Sequence, residues 1–92
     1  MNNYTKEERL KDAYLMRIYQ ITLEDFRGML LTQEYRYAIC NKSLSEKTAI
    51  VDHNHKTGKV RAIVCHNCNR LLGEAKEDIK ILQLAILYLS KF

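Results

Sequence analysis

Residues 48–69 read TAIVDHNHKTGKVRAIVCHNCN, and they contain most of the side chains of this chain that are suited to chemistry. The apolar runs 48–53 and 60–64 predict two short strands, and the segment 56–59 between them contains a glycine that can adopt the positive φ of a tight turn. Residues 65–72 follow directly and predict a helix. We therefore expect a β-hairpin that leads into a helix.

The segments on either side of this core predict further helices. Residues 5–33 contain two helix starts, because Thr5 is followed by a glutamate at the capping-box spacing and Thr22 opens a second acidic first turn. Residues 74–92 carry a broad apolar face whose members recur at helical spacing, namely Ile79, Leu82, Ile86 and Leu89. That face must bury against the first segment, a second subunit or both.

The chain is expected to form one α+β domain over residues 1–92. Its 92 residues are too few for two domains and provide only a small core. We divide the domain into a helical N-terminal part at 1–36, the hairpin-and-helix core at 37–73 and a C-terminal helix at 74–92.

Composition narrows the class of partner and the compartment. The net charge of +4 and the pI near 9.0 favour a phosphate backbone as partner without requiring one. No apolar run reaches the ~18 residues of a membrane helix and no signal-peptide pattern opens the chain, so we expect a cytoplasmic protein without membrane association. The three cysteines cannot all pair, which favours metal binding or free thiols over a disulfide framework.

Four polar side chains of the core suit metal-assisted cleavage of a phosphodiester. Mg²⁺ prefers oxygen ligands, which Asp52 and Asn69 can supply, and His53 can accept a proton from water near pH 7. Arg61 can bind a phosphate through its guanidinium group. Each residue also has an ordinary explanation, as a turn acid, a helix-terminus amide, an exposed histidine or a strand arginine. A regular strand would point Asp52 and His53 to opposite faces, so a distorted strand end is needed to direct both to one site.

The cysteines suggest a second, structural metal site. Cys65 and Cys68 have the CxxC spacing, and Cys40 adds a third thiol, but Tyr37 stands where the fourth cysteine of a paired CxxC zinc site would be. Zinc could bind with His66, water or a neighbouring chain as the fourth ligand. Alternatively the site is weakened, or the metal is lost and Tyr37 fills the space as part of the core. A redox CxxC pair is disfavoured, because no thioredoxin-like βαβ pattern surrounds it.

The order of these motifs resembles one known family. The run from Val51 to Arg61, followed by Cys65-His66-Asn67-Cys68-Asn69, is similar to the pattern of the recombination endonuclease VII family of phage HNH nucleases. The resemblance covers residues 37–73 closely and extends more loosely over the C-terminal helix. Two positions depart from the family pattern: Tyr37 replaces a cysteine, and Ala62 replaces the usual glycine.

The resemblance implies a small ββα-metal fold (HNH, or His-Me finger) flanked by N- and C-terminal helices. It implies that Asp52 and Asn69 hold a catalytic Mg²⁺ or Mn²⁺, that His53 is the general base and that His55 assists the metal or the phosphate. It also implies a structural zinc ion held by three thiols, those of Cys40, Cys65 and Cys68.

Three functions follow as hypotheses. The first is a metal-dependent DNA endonuclease that nicks DNA or cuts duplex or branched DNA, acting in a phage-infected or prophage-carrying bacterial host. The second is a catalytically weak or inactive HNH-like fold that binds DNA or a protein, which Tyr37 and the broad apolar C-terminal helix favour. The third is a small zinc-stabilised structural protein. DNA is the expected partner, and a homodimer through the C-terminal helix is the alternative to core packing alone.

Overall fold

The computed structural model describes residues 3–92, and within them the chain is α+β, as predicted. Four α-helices accompany one two-stranded antiparallel sheet. In chain order the elements are α1 Lys6–Tyr19, α2 Leu23–Thr32, β1 Ile50–His53, β2 Val60–Val64, α3 His66–Glu74 and α4 Ile79–Lys91. None of the helices formed by residues 3–92 has the length and apolar character needed to cross a membrane.

The predicted capping box is present at the start of α1, and the predicted second helix start at Thr22 also forms a capping box. The Thr5 hydroxyl accepts from the Glu8 backbone N–H, while the Glu8 carboxylate accepts from the Thr5 N–H at 2.9 Å. Thr22 and Asp25 make the same reciprocal pair. These side chains satisfy amides that have no partner within the helix, which explains why the two helices begin where they do.

The hairpin differs from the prediction at its first strand. We expected that strand to begin at residue 48, but residues Glu46–Thr48 form a short 3₁₀ turn and β1 begins at Ile50. The Thr48 N–H donates to the Ser45 carbonyl at 3.1 Å, which closes this turn and prevents strand pairing. At the hairpin end, Gly58 adopts φ 76° and its N–H donates to the Asn54 carbonyl at 2.7 Å, in agreement with the predicted glycine turn.

The hairpin register contains an irregularity at the position of Asp52. Val51 pairs with Ile63 and His53 pairs with Val60, so two residues of β2 lie opposite Asp52 alone. Such a bulge increases local twist and redirects side chains. The two residues are Arg61 and Ala62, which places the bulge at the position of the predicted phosphate-binding arginine.

The core lies between the first two helices and the hairpin. Its buried members come from α1, α2, the loop after α2 and both strands: Leu15, Leu23, Phe26, Leu30, Tyr37, Leu44, Val51 and Ile63. The outer edge of β2 is capped by one side chain, because Gln33 accepts from the Ile63 N–H at 2.8 Å and donates to the Ile63 carbonyl at 3.0 Å. This pairing satisfies backbone groups of a residue that is fully buried.

The C-terminal helix begins later than residue 74, where we predicted it, because α3 extends two residues beyond its predicted end at 72 and a turn separates it from α4. Glu74 ends α3, and the Lys76 and Glu77 backbones adopt left-handed conformations with φ 55° and 54°. The Lys76 N–H donates to Gly73 and the Glu77 N–H to Leu72, which is a Schellman ending. Asp78 then caps α4 by accepting from two of its first N–H groups.

Candidate functional site

The predicted cation ligand Asp52 is bound to the predicted phosphate-binding residue Arg61. Arg61 Nε donates to Asp52 Oδ2 at 2.7 Å and Nη2 donates to Oδ1 at 3.0 Å, a two-pronged pair. The Asp52 side chain is only 7 % exposed, whereas that of Arg61 is 37 % exposed. The carboxylate therefore lies under the guanidinium group, and hydrogen bonding to it raises the pKa of Arg61 above its already high value.

A carboxylate that sequence reasoning missed completes this cluster. Glu77 Oε1 lies 2.5 Å from Arg61 Nη2, and Glu77 Oε2 lies 3.5 Å from His55 Nε2. The Glu77 side chain is 24 % exposed. It reaches the hairpin because the left-handed ending of α3 turns it back, and no local sequence signal marks two consecutive non-glycine residues for that conformation.

The two hairpin histidines lie together at the end of β1. Their rings stack with centroids 4.8 Å apart and an interplanar angle of 27°. His53 also lines a cavity of about 210 Å³ with Tyr19, Gln20 and Gly58. Arg61 and Glu77 line a separate cavity of about 320 Å³. Asp52 and His53 thus face different surroundings, and His55 connects them through its contacts with His53 and Glu77.

Asn69 lies in the first turn of α3, one residue after Cys68. It is partly buried, and its backbone N–H donates to the Cys65 carbonyl at 2.9 Å. Helix α3 packs on β1, the strand that carries Asp52. Within residues 3–92, no hydrogen bond joins the Asn69 amide to Asp52 or His53. The fold brings the helix and the strand together without a hydrogen bond between these side chains in the described residues.

The three cysteines converge, as the sequence predicted. The sulfur atoms of Cys40, Cys65 and Cys68 all lie within 4.8 Å of one another. The Cys68 backbone N–H donates to Cys65 Sγ at 3.3 Å and lowers the pKa of the Cys65 thiol. Burial, helped by the neighbouring Cys65, raises the pKa of the Cys68 thiol to about 11. Three soft ligands at this spacing can hold a metal such as zinc, which would also fix the start of α3.

Tyr37 has become part of the core instead of a ligand. Its side chain is 7 % exposed and lies in the buried cluster against which Cys40 and Cys65 pack. Its hydroxyl lies 2.5 Å from Thr48 Oγ1 and accepts from the Ser45 N–H at 3.4 Å. His66, a fourth-ligand candidate from the sequence, is exposed on α3 and lies outside the compact thiol group.

Comparison with known proteins agrees with the resemblance. The model of the family described as recombination endonuclease VII matches residues 12–91. A Gene 59 protein of Mycobacterium phage D29 is 39 % identical over 82 residues, which cover 87 % of this chain and 50 % of the relative. A Gene 59 protein of Mycobacterium phage L5 is 36 % identical over 80 residues, covering 85 % and 49 %. The chain thus spans about half the length of these curated relatives. No solved structure gives a significant match.

Proposed function

Because the chain belongs to the recombination endonuclease VII family, we propose that it is an HNH-type, metal-dependent endonuclease that hydrolyses phosphodiester bonds of DNA. The single observation that carries this proposal is the family match over residues 12–91, which includes every candidate site residue. The mildly basic composition, with a net charge of +4, is compatible with DNA as substrate. We further propose that β1, β2 and α3 form the ββα-metal unit of such nucleases, acting in a bacterial host of a phage.

The residues present fit the catalytic cation that the family implies. Asp52 is a nearly buried carboxylate, a ligand type that Mg²⁺ prefers, although a cation there would have to displace Arg61 from both of its oxygens. Asn69 offers an amide oxygen, the other ligand type that Mg²⁺ and Mn²⁺ accept. A divalent cation held there would supply charge neutralisation at the scissile phosphate.

The remaining roles fall to side chains around this pair. His53 would accept the proton of the attacking water, because a neutral imidazole is a suitable base near pH 7. His55, stacked on His53, would orient that ring or contact the phosphate. Arg61 would bind the phosphate through the part of its guanidinium group that is exposed to solvent.

We propose that zinc binds the three thiols in a structural role. Cys40 lies in the loop after α2, Cys65 caps α3 and Cys68 lies in its first turn. An ion on all three would fasten the loop to the helix that carries Asn69. Because Tyr37 is committed to Thr48, the fourth position would be filled by water or another exogenous ligand.

A homodimer through α4 remains a second proposal about partners. This helix has no buried residue, and its apolar side chains stay exposed, including Ile79, Ile86, Leu87 and Leu89. A continuous apolar surface of this kind is characteristic of an interface. The alternative function is a DNA- or protein-binding module without cleavage. The same apolar surface supports it, and so does Tyr37 at a position where the family pattern has a cysteine.

Cleavage and binding can be separated in one experiment. Purified protein is incubated with supercoiled, linear and branched DNA in Mg²⁺ or Mn²⁺, beside an EDTA control, and binding is followed in parallel by fluorescence anisotropy. Nicked or cut products that disappear in EDTA support the endonuclease. Tight binding that leaves all three DNA forms intact would contradict the endonuclease and support the binding module.

A further inference from the structure

The cluster of Asp52, Arg61 and Glu77 contains one more acidic group than the proposed cation site uses. Arg61 Nη2 contacts Asp52 Oδ1 at 3.0 Å and Glu77 Oε1 at 2.5 Å, so one nitrogen joins two carboxylates from different parts of the chain. Asp52 belongs to β1, and Glu77 belongs to the turn between α3 and α4. Two carboxylates and one guanidinium group leave one net negative charge.

The conformation of Glu77 shows that its position is imposed by the fold. Glu77 has a φ of 54°, and Lys76 directly before it is also left-handed. Each such non-glycine residue costs roughly 1–2 kcal/mol. The Schellman bond from the Glu77 N–H to the Leu72 carbonyl, 2.8 Å long, holds this conformation in place. The Glu77 backbone is therefore fixed by a hydrogen bond that does not involve its carboxylate.

We propose that Glu77 is a positioning residue that keeps Arg61 at the site when a divalent cation engages Asp52. This inference rests on the proposed endonuclease function. Both Asp52 oxygens now accept hydrogen bonds from Arg61, so a cation at Asp52 competes with the guanidinium group for the same oxygens. Without a second carboxylate, an arginine that is 37 % exposed would swing into solvent. Glu77 offers that second carboxylate without any backbone movement.

Glu77 also restrains His55 from the same position. Its second oxygen lies 3.5 Å from His55 Nε2, and the His55 ring stacks on His53. One carboxylate thus links the phosphate-binding candidate to the histidine pair. Supporting residues of this kind typically change activity or metal affinity by roughly 10- to 100-fold when removed.

The chain supplies a matched control for the test. Glu74 lies three residues before Glu77 and carries the same charge, and its side chain is 72 % exposed. Among residues 3–92 it pairs only with Arg70, one helical turn earlier. Glu77→Ala and Glu74→Ala therefore change the net charge of the protein equally. The Arg61 guanidinium is followed by ¹⁵N NMR with and without Mg²⁺, and its signals are assigned from the Arg61→Lys spectrum.

The expected result is specific to the Mg²⁺-bound protein. Without Mg²⁺, wild type and both variants show slowed rotation of the Arg61 guanidinium, because Asp52 still binds it; this spectrum also confirms folding. With Mg²⁺, wild type and Glu74→Ala keep the slowed rotation and Glu77→Ala loses it. Plasmid cleavage by Glu77→Ala falls by roughly 10- to 100-fold, while Glu74→Ala stays near wild type.

Two outcomes overturn the inference. If Arg61 stays immobile in Glu77→Ala with Mg²⁺, or becomes mobile in wild type as well, Glu77 does not retain it. If the wild type cleaves DNA but Arg61 rotation with Mg²⁺ is the same in wild type and Glu77→Ala, only the role of Glu77 is rejected. If the wild type never cleaves but Arg61 rotation differs between the two, the endonuclease function is rejected and Glu77 remains the residue that holds Arg61.

Discussion

The Tyr37 hydroxyl lies 2.5 Å from Thr48 Oγ1, so the residue that replaces a zinc cysteine is bound to the turn before β1. The ring also belongs to the buried core, with Cys40 and Cys65 packed against that core. The thiol cluster and the core are therefore adjacent.

We predict that Tyr37→Cys destabilises the zinc-free protein, although it restores the family ligand. Replacing a buried aromatic ring with a small side chain should cost about 2–4 kcal/mol of unfolding free energy, because a cavity remains. Urea unfolding in EDTA measures this cost. Tyr37→Phe, which removes only the hydroxyl, should cost about 0.5–1.5 kcal/mol. Equal stability of Tyr37→Cys and wild type in EDTA would show that the ring is not a packing element.

Zinc binding should depend on the three thiols and not on His66. We expect one zinc ion per chain by native mass spectrometry, its loss in Cys40→Ser, and its retention in His66→Ala, because His66 lies outside the thiol group. The raised pKa of Cys68, about 11, means that this thiol is protonated near neutral pH. Zinc must displace that proton, so the apparent affinity should fall as the pH is lowered. Loss of zinc in His66→Ala would identify His66 as the fourth ligand.

The Gln33 side chain should be a measurable part of hairpin stability. In Gln33→Ala the fully buried Ile63 N–H loses its acceptor, which should cost about 1–3 kcal/mol. Gln83→Ala on the exposed face of α4 is the control and should change stability by no more than about 0.5 kcal/mol. Urea unfolding gives the energies, and amide hydrogen exchange at Ile63 reports the local effect. Unchanged exchange at Ile63 would argue against the side-chain clamp.

The exposed apolar face of α4 predicts self-association. Sedimentation equilibrium of the wild type should show a concentration-dependent dimer, and Ile86→Glu should shift it to monomer, because Ile86 is 64 % exposed and a buried charge there is costly. Gln20→Glu adds the same charge at an exposed position outside α4 and should have little effect. A wild type that is monomeric throughout the concentration range would contradict this interface.

The sequence predicted the elements whose signals are local. The capping box at Thr5, the second helix start at Thr22 and the Gly58 turn follow from residue type and spacing, and the meeting of the thiols follows from the zinc-motif interpretation. The start of α4 at residue 79 was missed, because the continuing apolar pattern outweighed the capping aspartate at 78 and no glycine marks the left-handed residues. The late start of β1 was missed because the apolar pattern does not reveal the short turn that precedes the strand. In the structure, the Tyr37 hydroxyl contacts Thr48 in that turn.

The site was predictable in its residue types but not in its pairings. Arg61 was assigned to phosphate, yet it also covers Asp52, since the bulge in β2 brings the two side chains together. Glu77 could not be found, because its contact with Arg61 depends on a backbone conformation that sequence patterns disfavour. The roles of Asp52, His53, His55 and Asn69 in cleavage remain predictions.

The most direct test of the central claim is single-turnover cleavage of a labelled DNA duplex in Mn²⁺ by His53→Ala beside His66→Ala. These two substitutions remove the same side chain, and His66 lies outside both the hairpin and the thiol group. The account predicts that His53→Ala loses roughly 10²–10⁴-fold in rate, the contribution of a general base, while His66→Ala cleaves like wild type. Equal cleavage by both variants would contradict the assignment of His53 and of the site around it.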